Sequence, residues 1–273
     1  MYVHSIMTPL SLLLYCYFTA GILCSLFAHF AQKVFGPSAL FSHGKAAIIN
    51  NQNRQNYNQR NLMLNLLNWI TSLTLSKHLF WHFYAFGLLS SLTYIRLKSS
   101  DICAILLAVQ CFRRLVECFL VMPGAKGSQM HLIHYGIGIT YYPVLLLSFE
   151  GGNKYSFSHY WIILFIAASV FQSYCHWILG SIRKATSKAD QPHRPIQHPL
   201  FKFIHAPHYL AELLIYTSIA GLEGFHPLML LNLIWIVTIL GVSAKNSADW
   251  LCDRWGYKGK ESFCKYLMIP FLF

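Results

Sequence analysis

Apolar runs of about 20 residues recur along this chain, separated by short polar or basic connections, and they restrict its fold more than any motif it contains. A run of that length matches the thickness of a bilayer when coiled as a helix, because helical backbone satisfies its own N–H and C=O groups where no water reaches. Only 11% of the 273 residues are charged, less than half of the ~25% usual in a soluble domain. The sequence therefore predicts an all-α membrane protein. Spans are expected over 9–30, 78–95, 102–122, 133–149, 160–179, 204–222 and 228–242, about seven helices. The first run lacks a basic flank and a small-residue cleavage pattern, so it is expected to be a retained span. Segment 50–61 is rich in Asn and Gln and predicts a flexible loop, with an interfacial helix over 62–75. Two parts result: 1–75, a helix plus polar loop, and 76–273, a helical membrane domain.

Basic residues test this layout. Of 21 Lys and Arg, sixteen fall in the first, third and fifth connections and the tail, and three in the even connections. By the positive-inside rule the C-terminus is cytoplasmic. The net charge of +12 is thus explained by lipid headgroups and a phosphate-bearing ligand, and nucleic acid is not expected as a partner. Eight cysteines without a CxxC pair predict neither structural zinc nor a disulfide framework. Fourteen histidines form no dense repeated clusters, so no metal is expected. Gly136-Ile-Gly138 has Tyr141 where a dinucleotide fingerprint needs glycine, and no Walker A sequence occurs.

Some residues cost too much to face lipid. Arg113, Arg114 and Glu117 lie inside an apolar run, where each charge costs at least ~2.5 kcal/mol unless paired or wet. Helical spacing lets Glu117 pair with either arginine, leaving one cation for a phosphate, or the three form a closed ion-pair knot. Gln172, His176 and Arg183 project from one side of the fifth helix, as a cavity wall or as helix-to-helix hydrogen bonds. The connection 180–205 carries five basic residues among prolines, either a polyanion site or a positive-inside loop alone. His208, Tyr209, Glu212 and Tyr216 open the sixth span. Glu212 is an isolated acid there, functional or simply hydrogen-bonded to a neighbour.

Five segments together carry a resemblance: Gln-Cys-Phe-Arg113-Arg114-Leu-Val-Glu117-Cys118, Ile178-Leu-Gly-Ser-Ile-Arg183-Lys184, His193-Arg194, Ala206-Pro-His-Tyr-Leu-Ala-Glu212-Leu-Leu-Ile-Tyr216 and Ile269-Pro-Phe-Leu-Phe273. Over roughly 76–273 the chain resembles the steroid 5α-reductase family, in its polyprenol reductase branch. The resemblance implies a seven-helix bundle of the endoplasmic reticulum membrane that encloses NADPH. It implies cofactor contacts at Arg114, Gln172, Arg183, Arg194, His208 and Glu212, with His176 and Tyr209 as further candidates beside them. It also places His82, in Phe80-Trp-His82-Phe-Tyr84, where the family's substrate-facing polar residue lies. Two departures stand out: His208 replaces an Asn found in some relatives, and Ser247-Ala-Asp-Trp250-Leu251 stands where relatives show a His and a terminal Tyr.

The implied reaction saturates the α-isoprene unit of a long-chain polyprenoid, giving the dolichol-type lipid used in protein glycosylation. Hydride adds to a carbon made electron-poor by conjugation, which favours polyprenal over polyprenol as the species reduced. His82 or Tyr84 is expected to donate to the carbonyl oxygen. Three other readings stay open: a 3-oxo-Δ4-steroid 5α-reductase, an S-adenosylmethionine-dependent isoprenylcysteine-type methyltransferase, for which Gln197-His198-Pro199 is the relevant loop, and a non-enzymatic polyprenoid-binding protein.

Overall fold

The computed structural model describes residues 8–35, 73–98, 101–121, 129–149, 158–187, 196–255 and 264–270. These residues are almost wholly helical: α1 (Pro9–Phe35), α2 (Trp81–Lys98), α3 (Ile102–Leu120), α4 (Leu132–Leu147), α5 (Ser158–Ser187), the short α6 (Pro199–Phe203), α7 (Pro207–Leu222) and α8 (Pro227–Trp255). Seven long helices among the described residues overlap the expected apolar runs, but α1, α5 and α8 run 5, 8 and 13 residues past the expected ends at 30, 179 and 242. Three of them, over Pro9–Phe27, Ser158–Ile182 and Pro227–Arg254, are long and apolar enough to cross a membrane. Outward-facing Leu13, Phe27, Leu89, Leu120, Val170 and Trp177 are all exposed, an apolar exterior that suits lipid and not water.

Helix starts follow local chemistry. The Asp101 carboxylate accepts from the Cys103 N–H at 2.8 Å and caps α3. Proline opens α6, α7 and α8, where its missing N–H costs nothing. Pro207 corrects one boundary: the expected span 204–222 begins as helix only at 207, because Ile204 is extended and bridges to Tyr266 of the tail. The His205 and Ala206 N–H groups donate to the Tyr266 and Leu267 carbonyls at 2.8 and 3.0 Å. The tail thus straps the start of α7, burying Met268 against Ala206 and Ala244.

A second correction concerns 62–75. Residues 62–72 lie outside the described residues, as does the expected loop 50–61, but Thr74 and Leu75 are strand and not helix. In β1 (Thr74–Ser76) they pair antiparallel with β2 (Gln129–His131), Thr74 opposite His131. The ribbon joins the approaches to α2 and α4, and that pairing partner lies more than fifty residues away, beyond the reach of local periodicity.

Packing divides the bundle into two sets. Helix α2 packs along both α3 and α4, while α5 packs along α7, α7 meets α8, and α8 meets α1. The α1–α8 contact needs a glycine, since a Cβ on Gly21 would lie 2.4 Å from the Trp235 ring. Trp235 Nε1 also donates to Ser25 Oγ at 3.3 Å. Between the two sets, α3 approaches α5 and α7 at few points. Long polar side chains reach across that seam, while one apolar core that includes Phe83, Leu107, Phe165 and Ile215 joins the two sets.

Candidate functional site

The seam is organised by Glu117, a buried acid on α3 whose two oxygens face two guanidiniums. Arg113 Nη1 donates to Oε1 and Arg114 Nη1 to Oε2, both at 2.5 Å. The expected choice of one arginine is therefore replaced by a bridge to both, because i+3 and i+4 positions on one helix flank the same carboxylate. Helix α5 closes the arrangement with residues one helical turn apart. Ser173 Oγ donates to Glu117 Oε1 at 2.6 Å and accepts from Arg113 Nη1 at 2.9 Å. His176 Nδ1 lies 2.7 Å from both Glu117 Oε2 and Arg114 Nη1. A guanidinium only donates, so that nitrogen either accepts from Arg114 or gives its proton to Glu117, not both.

Gln172 extends the network toward α7. Its Oε1 accepts from Arg113 Nη2, its Nε2 donates to Glu212 Oε2, and the same amide reaches the His208 carbonyl at 3.3 Å. Gln110, fully buried, accepts from Arg113 Nη2 at 2.6 Å. Two guanidiniums and two carboxyls thus share one network: Glu117 pairs with both arginines directly, and Glu212, about 100 residues away in sequence, is linked to Arg113 through the Gln172 amide.

On the α2 side, Arg114 meets Tyr84, which is 6% exposed. Nε and Nη2 donate to the phenol oxygen at 3.3 and 3.0 Å, and the guanidinium carbon sits 5.0 Å from the ring centroid. Tyr84 packs on Tyr142, Tyr142 on Tyr141 and Tyr141 on Tyr216, a floor of tyrosines that runs from α2 to Tyr216, one helical turn beyond Glu212 on α7. Tyr141 donates in turn to Asn232 Oδ1 at 3.0 Å.

Of the residues picked from sequence, Tyr84, Arg114, Gln172, His176, His208 and Glu212 are brought together. The His208 ring lies 5.7 Å from that of His176. Tyr209 packs instead with the tail cluster around Met268 and Ile269. His82 is set apart: its Nδ1 is 2.7 Å from the Tyr135 hydroxyl on α4, and its helical position aligns with exposed Phe86 and Leu89 and not with Tyr84. The side chain of Arg183 and all of Arg194 lie outside the described residues, although the α5 backbone runs on through Ser187. Sequence reasoning missed Gln110, Ser173 and Tyr135. Ser173 carried a readable signal, being adjacent to Gln172 and three before His176; the other two did not.

The chemistry of this set is compatible with a carboxamide-bearing group such as nicotinamide: a carboxyl is an acceptor suited to amide N–H, and Ser169 Oγ and Arg113 Nε are buried without a hydrogen-bond partner among the described residues.

No family model matches the chain. Among curated proteins it is 31% identical over 197 residues to a polyprenal reductase of Ailuropoda melanoleuca and 30% identical over 197 residues to a polyprenal reductase of Homo sapiens, in each case across 64% of this chain and 60% of the relative. A polyprenal reductase of Saccharomyces cerevisiae is 28% identical over 214 residues, across 76% of this chain and 78% of the relative. The matches to the first two thus span 60% of those relatives' length. These similarities bear out the resemblance carried by the five motif segments.

Proposed function

We propose that this chain is a polyprenal reductase of the polyprenol reductase branch, using NADPH to saturate the α-isoprene double bond on the way to dolichol-type lipid for glycosylation. One observation carries the reading beyond similarity: motif residues of α3 and α7, about 100 positions apart, are joined through Gln172 of α5 in one buried network. The reading includes seven spans around a cofactor cavity, a cytoplasmic C-terminus and residence in the endoplasmic reticulum membrane, supported by the basic bias of the odd connections.

Bound NADPH supplies the hydride. The chain supplies position and charge. Glu212, oriented by Gln172, accepts from the nicotinamide carboxamide, with His176 and His208 closing the same wall. Arg183 and Arg194 hold phosphates where the chain leaves the membrane, and Tyr209 lies against the tail that straps the neighbouring loop. A phenol or imidazole, Tyr84 or His82, donates to the aldehyde oxygen as negative charge grows there. An allylic alcohol has no such electron sink, so polyprenol is not reduced directly.

Purified protein with NADPH should add two hydrogens to polyprenal, seen by product mass, and leave polyprenol unchanged. Saturation of polyprenol with no aldehyde formed would overturn the mechanism. Polyprenoid binding without NADPH consumption would favour a lipid-binding protein. Arg183→Ala and Arg194→Ala should each weaken NADPH binding by about 2 kcal/mol, roughly 30-fold in Kd. Unchanged affinity in both variants removes them from the phosphate site.

A further inference from the structure

We infer that Tyr84 is the group that protonates the substrate carbonyl and that Arg114, clamped by Glu117, is its positioning residue and not a phosphate ligand. The inference rests on the proposed reduction of polyprenal and decides between the two donors considered there.

Hydrogen-bond direction makes the case. Arg114 has donors only, so both of its contacts to Tyr84 terminate on the phenol oxygen. Tyr84 therefore keeps its own O–H proton for another acceptor. The far edge of the guanidinium is pinned by Glu117 Oε2 at 2.5 Å and lies 2.7 Å from His176 Nδ1, which fixes its plane and with it the phenol oxygen. An arginine engaged on both edges has no open fork for a phosphate.

Placement agrees. Tyr84 lies within electrostatic reach of Glu212, the acceptor assigned to the nicotinamide carboxamide, and packs on Tyr142 of the same floor. His82 turns toward α4 and exposed apolar side chains, away from that acceptor. A donor has to sit on the side where hydride arrives, because both groups act on one conjugated unit of four atoms.

The step balances as follows. Hydride, with both electrons, is delivered to the β-carbon of the enal. The C=C pair shifts to join the α-carbon and the carbonyl carbon, and the C=O pair moves onto oxygen. That oxygen takes the Tyr84 proton, while the Arg114 N–H groups stabilise the phenolate left behind. A solvent proton, relayed by water, restores Tyr84, and the enol ketonises by taking a proton at the α-carbon while its O–H proton is released to solvent. One polyprenal, one NADPH and one proton yield the saturated aldehyde and NADP+. A separate carbonyl reduction must then supply the alcohol.

The test uses the full-length protein in detergent or nanodiscs. Tyr84→Phe removes one oxygen and should lower kcat on polyprenal by about 100-fold, leaving KM and the unfolding temperature near wild type. Arg114→Lys should also lower kcat, yet add nothing in a Tyr84→Phe background, because both act through one proton. NADPH affinity, read by fluorescence titration without substrate, should stay within about twofold in Arg114→Lys; a phosphate ligand would lose roughly 30-fold. Wild-type turnover in Tyr84→Phe overturns the inference, as does a tenfold loss of NADPH affinity in Arg114→Lys. If His82→Gln alone abolishes turnover while Tyr84→Phe does not, His82 is the donor. Wild-type protein inactive on polyprenal defeats the proposed function itself, whereas normal wild-type activity with an unaffected Tyr84→Phe defeats only this assignment.

Discussion

Replacing Glu117 with alanine is expected to destabilise the folded protein by about 3–5 kcal/mol, the usual cost of stranding buried charge. Both guanidiniums of α3 lean on this one carboxylate, and Ser173 donates to it from α5. Without it, the cations of two consecutive residues, Arg113 and Arg114, would be left around a vacant acceptor in an apolar segment. Ser173→Ala removes the hydroxyl that donates to Glu117 and accepts from Arg113, but it strands no charge, so it should cost less, about 1.5–3 kcal/mol. The measurement is the unfolding midpoint in mild detergent, with yield of monodisperse protein as a second readout. If Glu117→Ala unfolds where the wild type does, the arginines are solvated and the network is not a structural keystone. Glu117→Gln should fall between, since the amide keeps the shape and offers one acceptor where two were used.

What could be read from sequence divides by range. Seven long helices were legible because a bilayer-length apolar run is a local property, and the observed α2, α3, α4 and α5 begin within a few residues of expectation. Arg113, Arg114 and Glu117 were legible as a group because i+3 and i+4 spacing is fixed by helix geometry, and Gln172 with His176 for the same reason. Range defeated the rest. Nothing local announces that Thr74 pairs with His131, that Tyr266 bridges to Ile204, or that Gln172 spans from Arg113 to Glu212. His82 shows the complementary limit: a motif fixes a position in a family pattern, but two residues along a helix turn a side chain by about 200°, which separates His82 from Tyr84.

Glu212→Gln is expected to lower kcat/KM for NADPH by about 10–100-fold while leaving the fold intact. The side chain keeps its volume and its place on α7, so packing against the tyrosine floor changes little. Its chemistry changes in two ways. One of two acceptor oxygens becomes a donor, and the negative charge is lost, so a bound carboxamide N–H meets a neutral partner instead of an ionised one. Hydrogen bonds to charged groups contribute about 1.5–3 kcal/mol, which sets the size of the effect. Gln172 compounds it, because its Nε2 donates to Glu212 in the native network and would have to share the single remaining carbonyl. The loss should fall on NADPH and not on polyprenal, whose carbonyl is held from the α2 side by Tyr84. Steady-state kinetics with each substrate varied in turn, alongside the unfolding midpoint, separates these outcomes. Normal turnover in a well-folded Glu212→Gln protein would remove Glu212 from the cofactor site and leave it as the counter-charge of Arg113. A variant that fails to fold would make that structural role the principal one, and Glu212→Asp, which keeps the charge one methylene short, should then recover the fold before it recovers NADPH binding.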